Sequence, residues 1–217
     1  FIAATEDDKY LNIDDEEGFV HHILERVNWE RDLHFYTKTS IDTLDYSSEG
    51  LNTGSKVVIA AAGDKCRDLA TTFESMCLIP LGITNIKVVA PGILGISCTA
   101  FESYEKSRIE MDVWSKGLKD VIGEQSNSFP LLILCDDADF VAETYNNFLW
   151  STFTRANPSH DIYGIDSFIQ HKHWGCKGSL MIDTRIKPHH APPLILDDEV
   201  ERKVDVLFAN NSDLSKL

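Results

Sequence analysis

The stretch from Pro130 to Asp166 constrains this chain more than any other. It opens with an apolar run, Leu131 to Leu134, which meets the acidic cluster Asp136, Asp137 and Asp139. A short apolar run of this kind reads as a buried strand, and the carboxylates after it can cap a following helix. Three- and four-residue steps through Val141, Tyr145, Phe148, Leu149, Thr152 and Phe153 predict one helix from Phe140 to about Thr154 with a single buried face. Asn157-Pro158 must end it, because proline has no N–H to donate and pushes the preceding residue out of the helical region. Asp161 to Ile165 reads as a return strand, so the unit is expected to be a right-handed βαβ crossover with parallel strands.

At 217 residues the chain can bury a substantial core. With 20 basic against 35 acidic residues, its formal charge of −15 repels phosphate backbones and anionic headgroups, which argues against nucleic acid as a partner. No apolar segment approaches the roughly 20 residues of a membrane helix, so no membrane insertion and a cytoplasmic location are expected. The five cysteines are scattered and mostly in apolar settings, as expected of reduced, buried thiols. The chain opens at Phe1 with an acidic run, which suggests a piece of something longer.

Along the chain, Asp14 or Asp15 can cap a helix with Phe19, Val20, Ile23, Leu24 and Val27 on one face, leaving His21 and His22 solvated or capping. Residues 33 to 54 read as a long connection with short strand pieces. Lys56 to Leu69 reads as a strand, a turn at Gly63 and a helix, with neither GxGxxG nor a P-loop to suggest a nucleotide. Ile86 to Ala90 and Leu94 to Phe101 flank Pro91-Gly92 as a hairpin or two neighbouring strands. Tyr104 to Ile122 reads as a helix closed by Gly123, with Ile109, Val113, Leu118 and Val121 at helical spacing and Met111 and Trp114 nearby. Strands alternating with helices predict an α/β, Rossmann-like layered fold, its sheet mostly parallel and flanked by helices.

Beyond Ile165 the residues change character. His171, His173 and Cys176 are of the types that suit zinc, although their spacing matches no familiar finger or ribbon; a packed loop leading to a strand at Leu180 to Ile182 is the simpler expectation. Pro188, Pro192 and Pro193 predict a stiff extended tail. Asp197 or Asp198 then caps a last helix carrying Val200, Val204 and Leu207 on one side, before a fraying end.

The central stretch resembles the carboxy-terminal domain of the UbiD family of decarboxylases. The elements that carry the likeness are Cys135, Asp136, Asp137 and Asp139, then Trp150, Thr154, Arg155, Pro158 and Asp161. A GSKxGxDAT-like segment of the family is partly reproduced by Gly178, Ser179, Met181, Ile182, Asp183 and Thr184, with Leu180 where the family has lysine and no alanine before Thr184. The likeness runs from about residue 83 to 207, leaving residues 1–82 as an amino-terminal extension packed on a carboxy-terminal α/β domain of residues 83–217. It implies a reversible carboxy-lyase acting on aromatic or α,β-unsaturated acids of the polyprenyl-hydroxybenzoate type. It further implies that prenylated FMN, a divalent metal and potassium are held by the rest of the parent enzyme. On this reading no residue of the chain is catalytic or ligates cofactor or metal, and the signature residues are structural. The fragment alone is inactive, and its tail helps to build a homodimer or higher homo-oligomer. Two other readings remain: a free-standing α/β module binding a small ligand near Gly63 and Asp136, and a metal module built on His171, His173 and Cys176.

Overall fold

The computed structural model describes residues 2–4, 11–12, 14–42, 45, 47, 50, 53–75, 77–191 and 197–208. The acidic run after residue 4, Pro192, Pro193 and the end beyond residue 208 lie outside the described residues.

Strand β1 (Ile2–Ala4) leads by way of helix α1 (Glu16–Arg26) to β2 (Leu33–Thr39) and β3 (Gly54–Ala60). These strands form a small sheet ordered β1-β3-β2, parallel between β1 and β3 and antiparallel between β3 and β2. A hairpin follows, β4 (Ile83–Ala90) and β5 (Ile93–Cys98), turning at Pro91-Gly92, where Gly92 has the positive φ of 79° that favours glycine. Helix α2 (Tyr104–Ile122) has the bounds that its spacing predicts. Ser103 caps its start by accepting from Lys106 N, and Gly123, at φ 55°, closes it. A 3-10 turn (Gly123–Asn127) leads to β6 (Leu131–Cys135).

The segment after β6 differs from its expectation. Asp137 Oδ1 accepts from the amides of Asp139 and Phe140, so a helix begins there, but it runs only through Ala138–Glu143 as α3. Thr144 is extended (φ −142°, ψ 153°) and starts a second helix, α4 (Tyr145–Thr154), by accepting from Asn147 N. Thr144 can break the helix because its hydroxyl replaces the lost backbone bonding. One further helical turn, α5 (Pro158–Asp161), precedes β7 (Ile162–Gly164). Strands β8 (Ser167–Gln170) and β9 (His173–Cys176) form a separate hairpin, and β10 (Leu180–Asp183) returns to the main sheet.

The main sheet has the order β4-β5-β6-β10-β7. Its three central strands are parallel and both edge strands run antiparallel to their neighbours. The sheet is therefore mixed, and the return strand β7 is not the parallel neighbour of β6: β10 takes that place. The parallel partner is the strand that follows the intervening hairpin, a non-local pairing that adjacency in sequence does not reveal.

Alternation along the strands divides the core between two faces. Leu131, Ile133 and Cys135 of β6 face a cluster with α1, Val57, Phe148 and Ile182, while Leu132 and Leu134 face α2 through Trp114, Leu118 and Ile122. Each fully buried leucine stabilises the fold by about 1.5–3 kcal/mol. On α2 the buried stripe is Ser107, Met111, Trp114, Leu118 and Val121, whereas Ile109 and Val113 are exposed. From the amino-terminal part, Trp29, Leu33 and Val57 belong to the same core as β6, and the Trp29 indole donates to Pro130 O at 2.8 Å.

Other expectations change with packing. No helix follows Gly63. Instead Cys66 N donates to Glu25 O and Ala70 N to Ser128 O, so neighbouring segments take up backbone bonds that a helix would keep to itself. His22 is buried rather than solvated. All five thiols are free; Cys98, Cys135 and Cys176 are buried, but Cys66 and Cys77 are exposed. Helix α6 (Asp198–Phe208), capped by Asp197, buries none of its residues, so Val200, Val204 and Leu207 form an exposed apolar side. No helix among the described residues is long and apolar enough to cross a membrane.

Candidate functional site

Two parallel strands, β6 and β10, end side by side in acids: Asp136 after the first, Asp183 at the tip of the second. Around these ends the chain gathers a buried ionic cluster. Asp183 and Arg185 are both 0% exposed and Lys187 is 1% exposed. Arg185 Nε and Nη2 grip the Asp183 carboxylate at 2.9 and 2.8 Å. Its remaining N–H groups reach Thr99 O at 2.9 Å, Glu110 Oε2 at 2.8 Å and Ser107 Oγ at 2.9 Å. All five guanidinium donors are thereby accepted, and the plane lies over Trp114 at 5.0 Å. Lys187 Nζ donates to Asp183 O at 2.9 Å, Arg185 O at 3.2 Å and Arg155 O at 3.3 Å, and faces Asp161 Oδ1 at 3.4 Å.

Formal charges explain how these groups titrate. Asp183 and Glu110 balance Arg185 and Lys187, which leaves Asp161 as the surplus acid. Burial pushes the Asp161 carboxyl up to about 7, against the pull of Lys187. Burial also opposes charge on Asp183, but the hydrogen bonds and charges of Arg185 and Lys187 together outweigh it and hold the carboxyl below its ordinary range. His190 accepts from Lys187 N through Nδ1 at 3.1 Å, and burial with the nearby Lys187 charge lowers it to about 4, so its ring is neutral.

The signature residues split into three groups. Asp136, Trp150 and Arg155 come together: Asp136 Oδ2 accepts from Ile186 N at 2.8 Å and lies 3.9 Å from Arg155, whose guanidinium sits 4.4 Å over the Trp150 ring. Asp161 and Asp183 meet in the Lys187 cluster. Asp137 is a helix cap, Asp139 pairs with Lys87 at 2.9 Å on the surface, Thr154 donates to Trp150 O, and Pro158 opens α5. Sequence reading missed Arg185 and Lys187. Their signal was present: two cations at alternate positions directly after the acid of a buried strand can both turn back toward it.

Neither alternative site assembles as expected. Gly63 lines a polar cleft of about 750 Å³ together with Arg67, Ser126, Pro130 and Gly178, at the amino ends of β6 and β10, whereas Asp136 lies at their carboxyl ends. His173 and Cys176 lie an odd number of residues apart on β9 and so point to opposite faces. The His173 ring is bonded to Glu30 O at 3.0 Å, and burial pushes the Cys176 thiol up to about 12, away from the thiolate that a metal requires. Among the described residues no group of three metal-ligating side chains comes together.

Comparison with known proteins addresses the family directly. Residues 2–61 match the model of the 3-octaprenyl-4-hydroxybenzoate carboxy-lyase C-terminal domain, that of UbiD. Over that segment the chain is similar to the UbiD family. The matched segment is the one that the motif reading could not place, and the motifs from residue 83 onward lie outside it. Longer relatives join the two parts. A protein of Chlamydia pneumoniae, named as one subunit of a 4-hydroxybenzoate decarboxylase, is 29% identical over 205 residues, covering 94% of this chain and 32% of that protein. An uncharacterized protein of Chlamydia caviae is 28% identical over 204 residues, with the same shares covered. The chain thus spans about a third of the length of these curated relatives. A solved vanillic acid decarboxylase of Sedimentibacter hydroxybenzoicus, in an open form, is similar over 54% of this chain and 27% of that one, at 15% identity and a TM-score of 0.30, a likeness too distant to fix an arrangement.

Proposed function

We propose that the chain is the carboxy-terminal, oligomerising portion of a UbiD-like carboxy-lyase that releases CO2, reversibly, from an aromatic or α,β-unsaturated acid of the hydroxybenzoate type. The observation that carries this reading is the family match at residues 2–61, joined to relatives about three times as long. In this reading the flavin and its metal belong to the remaining part of the parent polypeptide, in the cytoplasm. The described residues do not fit either group: no metal-ligating trio forms, and the Gly63 turn leads into no helix whose amides could hold a flavin phosphate.

The signature residues are proposed to serve structure, holding the chain that follows β10 against the carboxyl end of the sheet. The exposed apolar side of α6 supports the oligomerising role. Two measurements on the parent enzyme test the reading. With prenylated FMN, a divalent metal and potassium it should release CO2 from 4-hydroxybenzoate or a related acid; inertness across a panel of such acids would remove the proposal. Substituting Val204→Asp and Leu207→Asp together should lower the native mass in light scattering while leaving the fold intact, since both side chains are exposed. An unchanged mass would detach oligomerisation from this helix.

A further inference from the structure

The cleft between β2 and the β8–β9 hairpin differs in charge from the rest of the molecule. It encloses about 600 Å³ and is lined by His34, His171, Lys172 and His173 with the rings of Tyr36 and Trp174. No Asp or Glu lines it among the described residues, although the chain as a whole carries a formal −15. Five consecutive residues, Leu33 to Thr37, form one wall, so the cleft runs along the strand rather than across it. That strand is an edge: β2 pairs with β3 on one side and with no other strand among the described residues. An unpaired edge offers backbone donors and acceptors in a row.

The cleft is also firmly built. Trp174 meets Phe35 edge-on at 5.6 Å, and the His34 and His173 rings meet at 6.0 Å. Its lip is the hairpin turn, where His171 (φ 51°) and Lys172 (φ 67°) both take the left-handed conformation. Asn-Gly is the usual occupant of such a turn; here two long, basic side chains are held there instead.

We propose that this cleft takes an extended, carboxylate-rich segment of a partner polypeptide, added as a strand along β2 with its acidic side chains toward Lys172 and the imidazoles. Strand addition uses the open edge, and charge complementarity selects an acidic segment. The register shift between Tyr36 and Thr39, where Lys38 is left-handed (φ 55°), ends the regular edge, so the added segment is only a few residues long. A nucleic acid would offer the negative charge but no peptide edge to pair with β2.

Fluorescence anisotropy with three labelled peptides tests this: alternating Glu–Val, alternating Lys–Val, and alternating Glu–Pro, which keeps the charge but has fewer N–H groups for a ladder. Glu–Val should bind, with the other two at least about tenfold weaker, and Lys172→Glu should weaken Glu–Val binding about tenfold. Lys172 is exposed, and circular dichroism confirms the fold of the variant. Four results would overturn the proposal: no binding of Glu–Val, equal binding of Glu–Pro, indifference to Lys172→Glu, or a self-associated chain that Lys172→Glu dissociates. Equal binding of Glu–Pro would mark a plain polyanion site, and the last result would give the cleft to a second copy.

Discussion

Arg185 is the side chain on which the carboxyl end of the sheet most depends. It is fully buried, its five donors are all accepted, and Asp183 and Glu110 keep it charged against the desolvation of burial. Replacing it with methionine would leave the buried Asp183 carboxylate unpaired, so Arg185→Met should cost about 3–5 kcal/mol in urea denaturation. Asp161 predicts a pH effect of definite sign. Its folded-state pKa of about 7 lies above its ordinary 3.8, so the fold favours its protonated form. Its contribution is fully present below pH 3.8 and is lost as pH rises through 7. His190 acts oppositely between 4 and 6.5, because its lowered pKa disfavours the charged ring. The wild-type curve therefore mixes the two, and the difference between wild type and Asp161→Asn isolates the first. Stability of Asp161→Asn relative to wild type should rise as pH goes from 4 to 7 and level off above; a flat difference would mean that Lys187 keeps Asp161 ionised throughout. The pairing of Asp161 with Lys187 was not legible beforehand, since it joins residues on separate elements.

At the scale of elements, legibility followed how locally each boundary is determined. Helix α2 was readable to the residue because Ser103 and Gly123 cap it from within its own sequence. The β4–β5 hairpin was readable from Pro91-Gly92 for the same reason. The break at Thr144 was not, because its neighbours Val141, Tyr145 and Phe148 keep a helical apolar spacing across it and only the threonine's hydroxyl marks the restart. Thr144→Ala should lower stability by about 1 kcal/mol, as loss of an amino-terminal cap does, measurable as a shift in the denaturation midpoint at unchanged slope. Segment 64–75 misled in the opposite direction: Leu69 and Phe73 stand one helical turn apart, yet its backbone bonds go to Glu25 and Ser128. The apolar stripe of α6 was correctly read, but periodicity tells which face is apolar and not whether anything covers it.

Across the whole molecule, the mixed sheet is closed on one face by α2 and on the other by α1, α4 and the small amino-terminal sheet. The motif reading could not place residues 1–82 beyond an extension packed on the main domain; Trp29, Leu33 and Val57 share a core with β6, and alignment with the relatives runs through 94% of the chain. Composition could not reveal this, because a core shared between distant segments has no local signature. The resemblance was drawn from residues 135 to 184, whereas the segment that matches the family model is the one left unread. The proposed function places catalysis outside this chain, and a complementation assay tests that most directly. The chain and the remaining two-thirds of the parent polypeptide, expressed separately, should each release no CO2 from 4-hydroxybenzoate with prenylated FMN, metal and potassium, and should regain activity when mixed. Turnover by this chain alone, or full turnover by the remainder without it, would contradict the account.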